Sequence, residues 1–120
     1  MKKALGYHYL IEVHGADPEI LKDLNQIELI LNDAVVTSGA TEVGRLFHEF
    51  HPWGISGVIL IGESHFTIHT WPEHRYAAID FFTCNPNLRI QAAYQQITKD
   101  LKATGSTMTE IERGINDESA

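Results

Sequence analysis

Between Ser56 and Thr83 the chain carries three runs of strand-forming residues, SGVILI (residues 56–61), FTIHT (66–70) and YAAIDFFT (76–83), separated by connections of only a few residues. Runs of this length rich in β-branched and aromatic residues read as β-strands. Strands joined by such short links cannot run parallel, because a parallel crossover needs a dozen or more residues. The middle of the chain is thereby committed to an antiparallel sheet.

The flanking segments extend that sheet and cover it. LGYHYLIEV (residues 5–13) and TEVGRLFHEF (41–50) read as further strands, and neither face of the second is purely apolar, which suits a strand bordering a site or a partner. Asp17, Pro18 and Glu19 form a helix start, with a capping carboxylate, a proline in the first turn and an acid near the positive end of the dipole. Ile20, Leu21, Leu24, Ile27, Leu31, Ala34 and Val35 then recur at helical spacing, predicting one helix as far as about Ser38, closed by Gly39. A second helix is predicted over residues 88–103 from Ile90, Ala93, Tyr94, Ile97 and Leu101, with Gly105 closing it. Residues 106–113 suit an edge strand and residues 114–120 a frayed tail. Two amphipathic helices on one face of an antiparallel sheet give an α+β fold, a two-layer sandwich, in a single domain spanning residues 1–120.

Composition excludes several roles. A formal net charge of -7 argues against gripping phosphate backbones, so nucleic acid is not an expected partner. No apolar run reaches the length of a membrane span, and Met1-Lys2-Lys3 leads into no apolar signal segment, so the protein is expected to be cytoplasmic and not membrane-bound. The single cysteine, Cys84, rules out an intramolecular disulfide.

Reactive side chains concentrate in IGESHFTIHTWPE (residues 61–73). His65 and His69 are four apart, a zinc-binding spacing on a helix. On a strand the same spacing separates them by about 13 Å, too far to share an ion, and no metal ligand set is assigned. Glu63-Ser64 after the permissive Gly62 reads at its simplest as a polar hairpin turn. It also allows self-processing, in which the Ser64 hydroxyl attacks the Glu63 carbonyl, an N-to-O acyl shift makes an ester, and a base eliminates it. In a regular strand Ser64 and His69 face opposite sides, so for both to serve one site the chain must bend sharply near Gly62 to Ser64.

The run GISGVILIGESHFTIHTWPE followed by YAAIDFFTC closely resembles the short prokaryotic S-adenosylmethionine decarboxylases, and the likeness extends from GYHYLIEV to EIERG. The resemblance implies a proenzyme that cuts itself between Glu63 and Ser64 into a β chain of residues 1–63 and an α chain of residues 64–120. It implies that Ser64 becomes a pyruvoyl group, the covalent cofactor that takes the substrate amine as a Schiff base and accepts the electrons released with carbon dioxide. His69 matches the proton acceptor of processing, Ser56 a residue assisting it, and Cys84 the catalytic proton donor. Phe50 and Glu73 match the residues that stack on adenine and hold the ribose, and the resemblance also implies a homodimer of cleaved protomers.

Trp71, with Phe50, Trp53 and Glu73, offers aromatic and carboxylate walls that would suit a sulfonium cation. The implied reaction yields decarboxylated S-adenosylmethionine, the aminopropyl donor of spermidine and polyamine synthesis. Two rivals remain: a pyruvoyl decarboxylase acting on another amino acid such as ornithine or arginine, and a binding module that never cleaves.

Overall fold

The computed structural model describes residues 2–117. The sheet follows from the strand runs: β2 (Gly6–His14), β3 (Glu42–Glu49), β4 (Ile55–Ile61), β5 (Ser64–Trp71), β6 (Tyr76–Thr83) and β7 (Gly105–Arg113) form one six-stranded antiparallel sheet in the order β3-β4-β5-β6-β2-β7. α1 (Pro18–Leu21), α2 (Leu24–Ser38) and α3 (Ile90–Asp100) supply the apolar stripe that meets one face. The opposite face carries no helix among the described residues, and the expected two-layer α+β sandwich is the observed fold. None of these helices is long and apolar enough to cross a membrane.

The pleat divides the side chains between the faces. Phe66, Ile68 and Thr70 of β5 are buried towards the helices, while His65, Thr67, His69 and Trp71 look out from the open face. Phe66 stacks on its cross-strand partner Phe81 with ring centroids 4.0 Å apart, and both are fully buried. Each such ring contributes about 1.5 to 3 kcal/mol relative to leaving it in water.

Local structure departs from expectation in four places, the simplest being that Leu101 and not Gly105 closes α3, with Gly105 opening β7. The helix predicted from Pro18 to about Ser38 is two helices: Asp17 caps the first through the Glu19 N–H (2.9 Å), and Asp23 then caps a second through the Gln26 N–H (3.2 Å). An acid able to satisfy free amides mid-run competes with helix continuation, while the apolar spacing is blind to the break. Gly39 ends α2 in the left-handed conformation at φ 86°, as expected. Part of the predicted tail is ordered, since β1 (Lys2–Lys3) pairs with β8 (Asn116–Asp117), and residues 118–120 lie outside those described. Finally, the chain does reverse sharply at Gly62 to Ser64, but as the turn of a regular β4–β5 hairpin, and β5 carries His69 away from Ser64 and not back to it.

Thr70 ties the helical layer to the sheet. Its buried hydroxyl donates to the Leu21 carbonyl (2.8 Å) and accepts from the Ile55 N–H (2.9 Å). Thr70→Val keeps the shape but strands both backbone groups, so a thermal melt should show a loss of about 1 to 3 kcal/mol, with Thr70→Ser recovering most of it.

Candidate active site

The bond between Glu63 and Ser64 sits in the tightest connection of the sheet. Ile61 pairs with Ser64, leaving Gly62 and Glu63 as a two-residue turn. Such turns ordinarily place positive φ on their central residues. Here neither Gly62 nor Glu63 does so, and the positive φ falls on Ser64 at 149°. L residues rarely adopt such a backbone, which costs about 1 to 3 kcal/mol and persists only where the surroundings enforce it.

Those surroundings are hydrogen bonds. The Gly62 N–H donates to the Thr41 carbonyl (2.8 Å), the Thr41 N–H donates to the Glu63 carboxylate (3.3 Å), and the Cys84 N–H donates to the Glu63 carbonyl (2.9 Å). The last polarises the carbonyl of the Glu63-Ser64 bond, with a donor already in place for the charge that would develop there on attack.

Cys84 follows β6 directly, and its side chain is exposed. Its position is set by two local turns. The Asn85 N–H donates to the buried Thr83 hydroxyl and the Asn87 N–H to the Asn85 side chain, both at 2.9 Å. Beyond them, Arg89 hooks onto the end of α2, its N–H donating to the Ser38 carbonyl (2.9 Å) and its Nε to the Thr37 carbonyl (3.1 Å). Ser64, Glu63 and Cys84 therefore meet at one end of the sheet.

The other predicted residues gather at the opposite end. Ser56 and His69 are cross-strand partners, and the Ser56 hydroxyl shares a hydrogen bond of 2.8 Å with His69 Nδ1. Beside them is a cavity of about 180 Å³ lined by Leu46, His48, Ser56, Gly57, Val58, Thr67 and His69. Phe50, just past β3, lies edge-on to His48 with centroids 4.5 Å apart. Trp71 ends β5 and contacts Tyr76, while Glu73, Trp53, Lys22, Pro18 and Pro72 line a neighbouring cavity of about 160 Å³. Five residue steps of strand separate His69 from Ser64, about 16 Å. Within one chain the two groups do not meet.

Sequence reasoning missed two sets of residues. Thr41 and the Cys84 backbone act through main-chain atoms, which leave no mark on residue type. On the open face a polar row runs across the sheet: His8 Nε2 lies 3.5 Å from Asp80, and His65 and His8 both pack on Phe82. Burial, with His8 adding to it and Asp80 opposing, lowers the pKa of His65 and favours its neutral form. Burial and a hydrogen bond to Glu12 push the Tyr76 phenol up to about 12. Among the described residues no group of three or more His, Cys, Asp or Glu is placed to hold a metal ion.

Comparison with known proteins bears on this geometry. The S-adenosylmethionine decarboxylase family profile matches residues 7–114. The S-adenosylmethionine decarboxylase proenzyme of Thermodesulfovibrio yellowstonii is 48% identical over 112 residues, covering 93% of this chain and 83% of its own. That of Thermotoga maritima is 47% identical over 116 residues, covering 97% and 89%. The crystal structure of the adenosylmethionine decarboxylase from Aquifex aeolicus VF5 matches with a TM-score of 0.88 at 34% identity, over 98% of both chains. A strained serine after a polarised carbonyl thus stands in a chain alike over nearly its whole length to proteins named as proenzymes, and the chain belongs to the S-adenosylmethionine decarboxylase family.

Proposed function

We propose that this protein is a self-cleaving S-adenosylmethionine decarboxylase that acts in the cytoplasm, where a reducing environment keeps the exposed Cys84 thiol free. The observation that carries the reading is the Glu63-Ser64 bond itself: a strained serine backbone joined to a carbonyl already held by the Cys84 N–H.

Processing follows from these groups. The Ser64 hydroxyl adds to the Glu63 carbonyl carbon, and the Cys84 N–H takes up the charge on the oxygen. The C–N bond breaks, the proton given up by the hydroxyl passes to the nitrogen to make the free amine, and an ester joins the two residues with the backbone strain released. A base then removes the Ser64 α-proton, the bond from Cβ to the ester oxygen breaks, and Glu63 leaves as the carboxylate ending a β chain of residues 1–63. Tautomerisation and hydrolysis, with loss of ammonia, leave a pyruvoyl group opening an α chain of residues 64–120.

That group supplies a carbonyl able to engage the substrate amine and an electron sink for the pair left by departing carbon dioxide. Cys84, at the same end of the sheet, is the donor that returns a proton to the substrate Cα. Phe50 and Trp71 offer faces for the adenosyl group and sulfonium, and Glu73 a carboxylate for the ribose hydroxyls. The product is decarboxylated S-adenosylmethionine, an aminopropyl donor for polyamine synthesis.

The base is His69, assisted by Ser56, and the separation along β5 means that it comes from a second copy of the chain. The open sheet face bears the Ser56–His69 pair and, among the described residues, no covering helix. A twofold dimer through this face, antiparallel along the strands, sets the partner subunit's His69 beside Ser64 and repeats the arrangement at the other end, because a C2 interface is isologous. Each of the two sites is then built from Ser64 and Cys84 of one protomer with Ser56, His69, Phe50, Trp71 and Glu73 of the other.

Two experiments test this. The purified protein should release carbon dioxide from S-adenosylmethionine and not from ornithine or arginine, and Cys84→Ala should still be cleaved while losing on the order of a hundredfold or more in turnover. Release from an amino acid lacking the adenosyl group would move the enzyme to the rival class, and full activity of Cys84→Ala would remove the proton-donor role. Secondly, Ser64→Ala and His69→Ala should each remain uncleaved alone, whereas co-expression should cleave the His69→Ala chain. Absence of cleavage in isolated mixed dimers would contradict the shared site.

A further inference from the structure

We propose that the Glu63 side chain is a positioning residue for self-cleavage, holding the plane of its own scissile peptide through the backbone N–H of Thr41; the proposal rests on the processing assigned above to Ser64. Glu63 has two separate partners. Its carbonyl oxygen accepts from the Cys84 N–H at 2.9 Å, and its carboxylate accepts from the Thr41 N–H at 3.3 Å. Thr41 closes the ring by accepting the Gly62 N–H at 2.8 Å. Both backbone groups of one residue thereby grip the two turn residues before the cut.

The need for such a grip follows from Ser64. A φ of 149° is held against a restoring tendency, and the simplest relaxation is rotation of the adjoining Glu63-Ser64 peptide plane. That rotation would swing the Glu63 carbonyl off the Cys84 N–H and remove the one donor seen on the scissile carbonyl. Gly62 has no side chain to resist, and its tie to Thr41 lies two peptides too early to fix the plane. A carboxylate on Glu63 itself, anchored to a rigid neighbour, opposes the rotation at its source. Thr41 is such a neighbour, because it follows directly on Gly39 and Ala40, and the Ala40 N–H is held by the buried Ser38 hydroxyl at 3.2 Å.

An ordinary exposed hydrogen bond would give a different result from a positioning one. Glu63→Gln retains an oxygen acceptor for the Thr41 N–H, and Glu63→Ala retains none. Followed by intact mass after synthesis, the alanine variant should cleave slower by on the order of tenfold or more, as expected for loss of a charged hydrogen bond, with the glutamine variant close to the wild-type rate. In the uncleaved Ser64→Ala background, Glu63→Ala should speed amide exchange at Thr41 and Cys84, and Glu63→Gln should not. The proposal is overturned by wild-type cleavage in Glu63→Ala, by equal slowing in both variants, or by unchanged Cys84 protection. Should the unsubstituted chain itself fail to cleave, the processing assignment falls, while the exchange rates still decide whether the grip exists.

Discussion

The C-terminal end of α2 is the fixed point of the cleavage region. Ser38 is buried, its hydroxyl donating to the Val35 carbonyl at 2.7 Å and accepting the Ala40 N–H. Gly39 reverses the chain in the left-handed conformation that other residues adopt only with strain. One side of the turn reaches this point through Thr41, and the other through Cys84, Asn85 and Arg89, whose N–H and guanidinium both bond to α2 carbonyls. The strain on Ser64 is stored between two arms that hang from one helix end. Strain at a reacting bond needs such support, because a free turn would dissipate it.

Sheet geometry divides the remaining chemistry. Ser64 and His69 stand five residue steps apart along β5, about 16 Å, too far for side chains to span. Ser64 with Cys84 and His69 with Ser56 therefore lie at opposite ends of the sheet. In the proposed twofold dimer, a partner of the same sequence would bring one group to the other at both ends at once.

Much of this was legible in the sequence. Strand runs and short connections fixed the antiparallel sheet, Asp17 and Gly39 marked helix ends by their capping chemistry, and GESHFTIHTWPE singled out Ser64. The break at Asp23 was not legible, since apolar spacing continues through it and only the local competition for amides decides. Nor was the course of β5: the sharp bend expected at Gly62 to Ser64 is there as a tight turn, but the strand that follows runs on regularly and does not bring His69 back to Ser64. Thr41 and the Cys84 amide contribute through the backbone, which every residue type carries alike, so position alone reveals them.

The central claim is that the chain cuts itself before Ser64, and the intact mass of freshly purified protein tests it most directly. Two fragments are predicted, residues 1–63 with a free carboxylate and residues 64–120 lighter than the serine-initiated peptide by the elements of ammonia. A single undivided chain, or a second fragment that keeps its serine, would contradict the account.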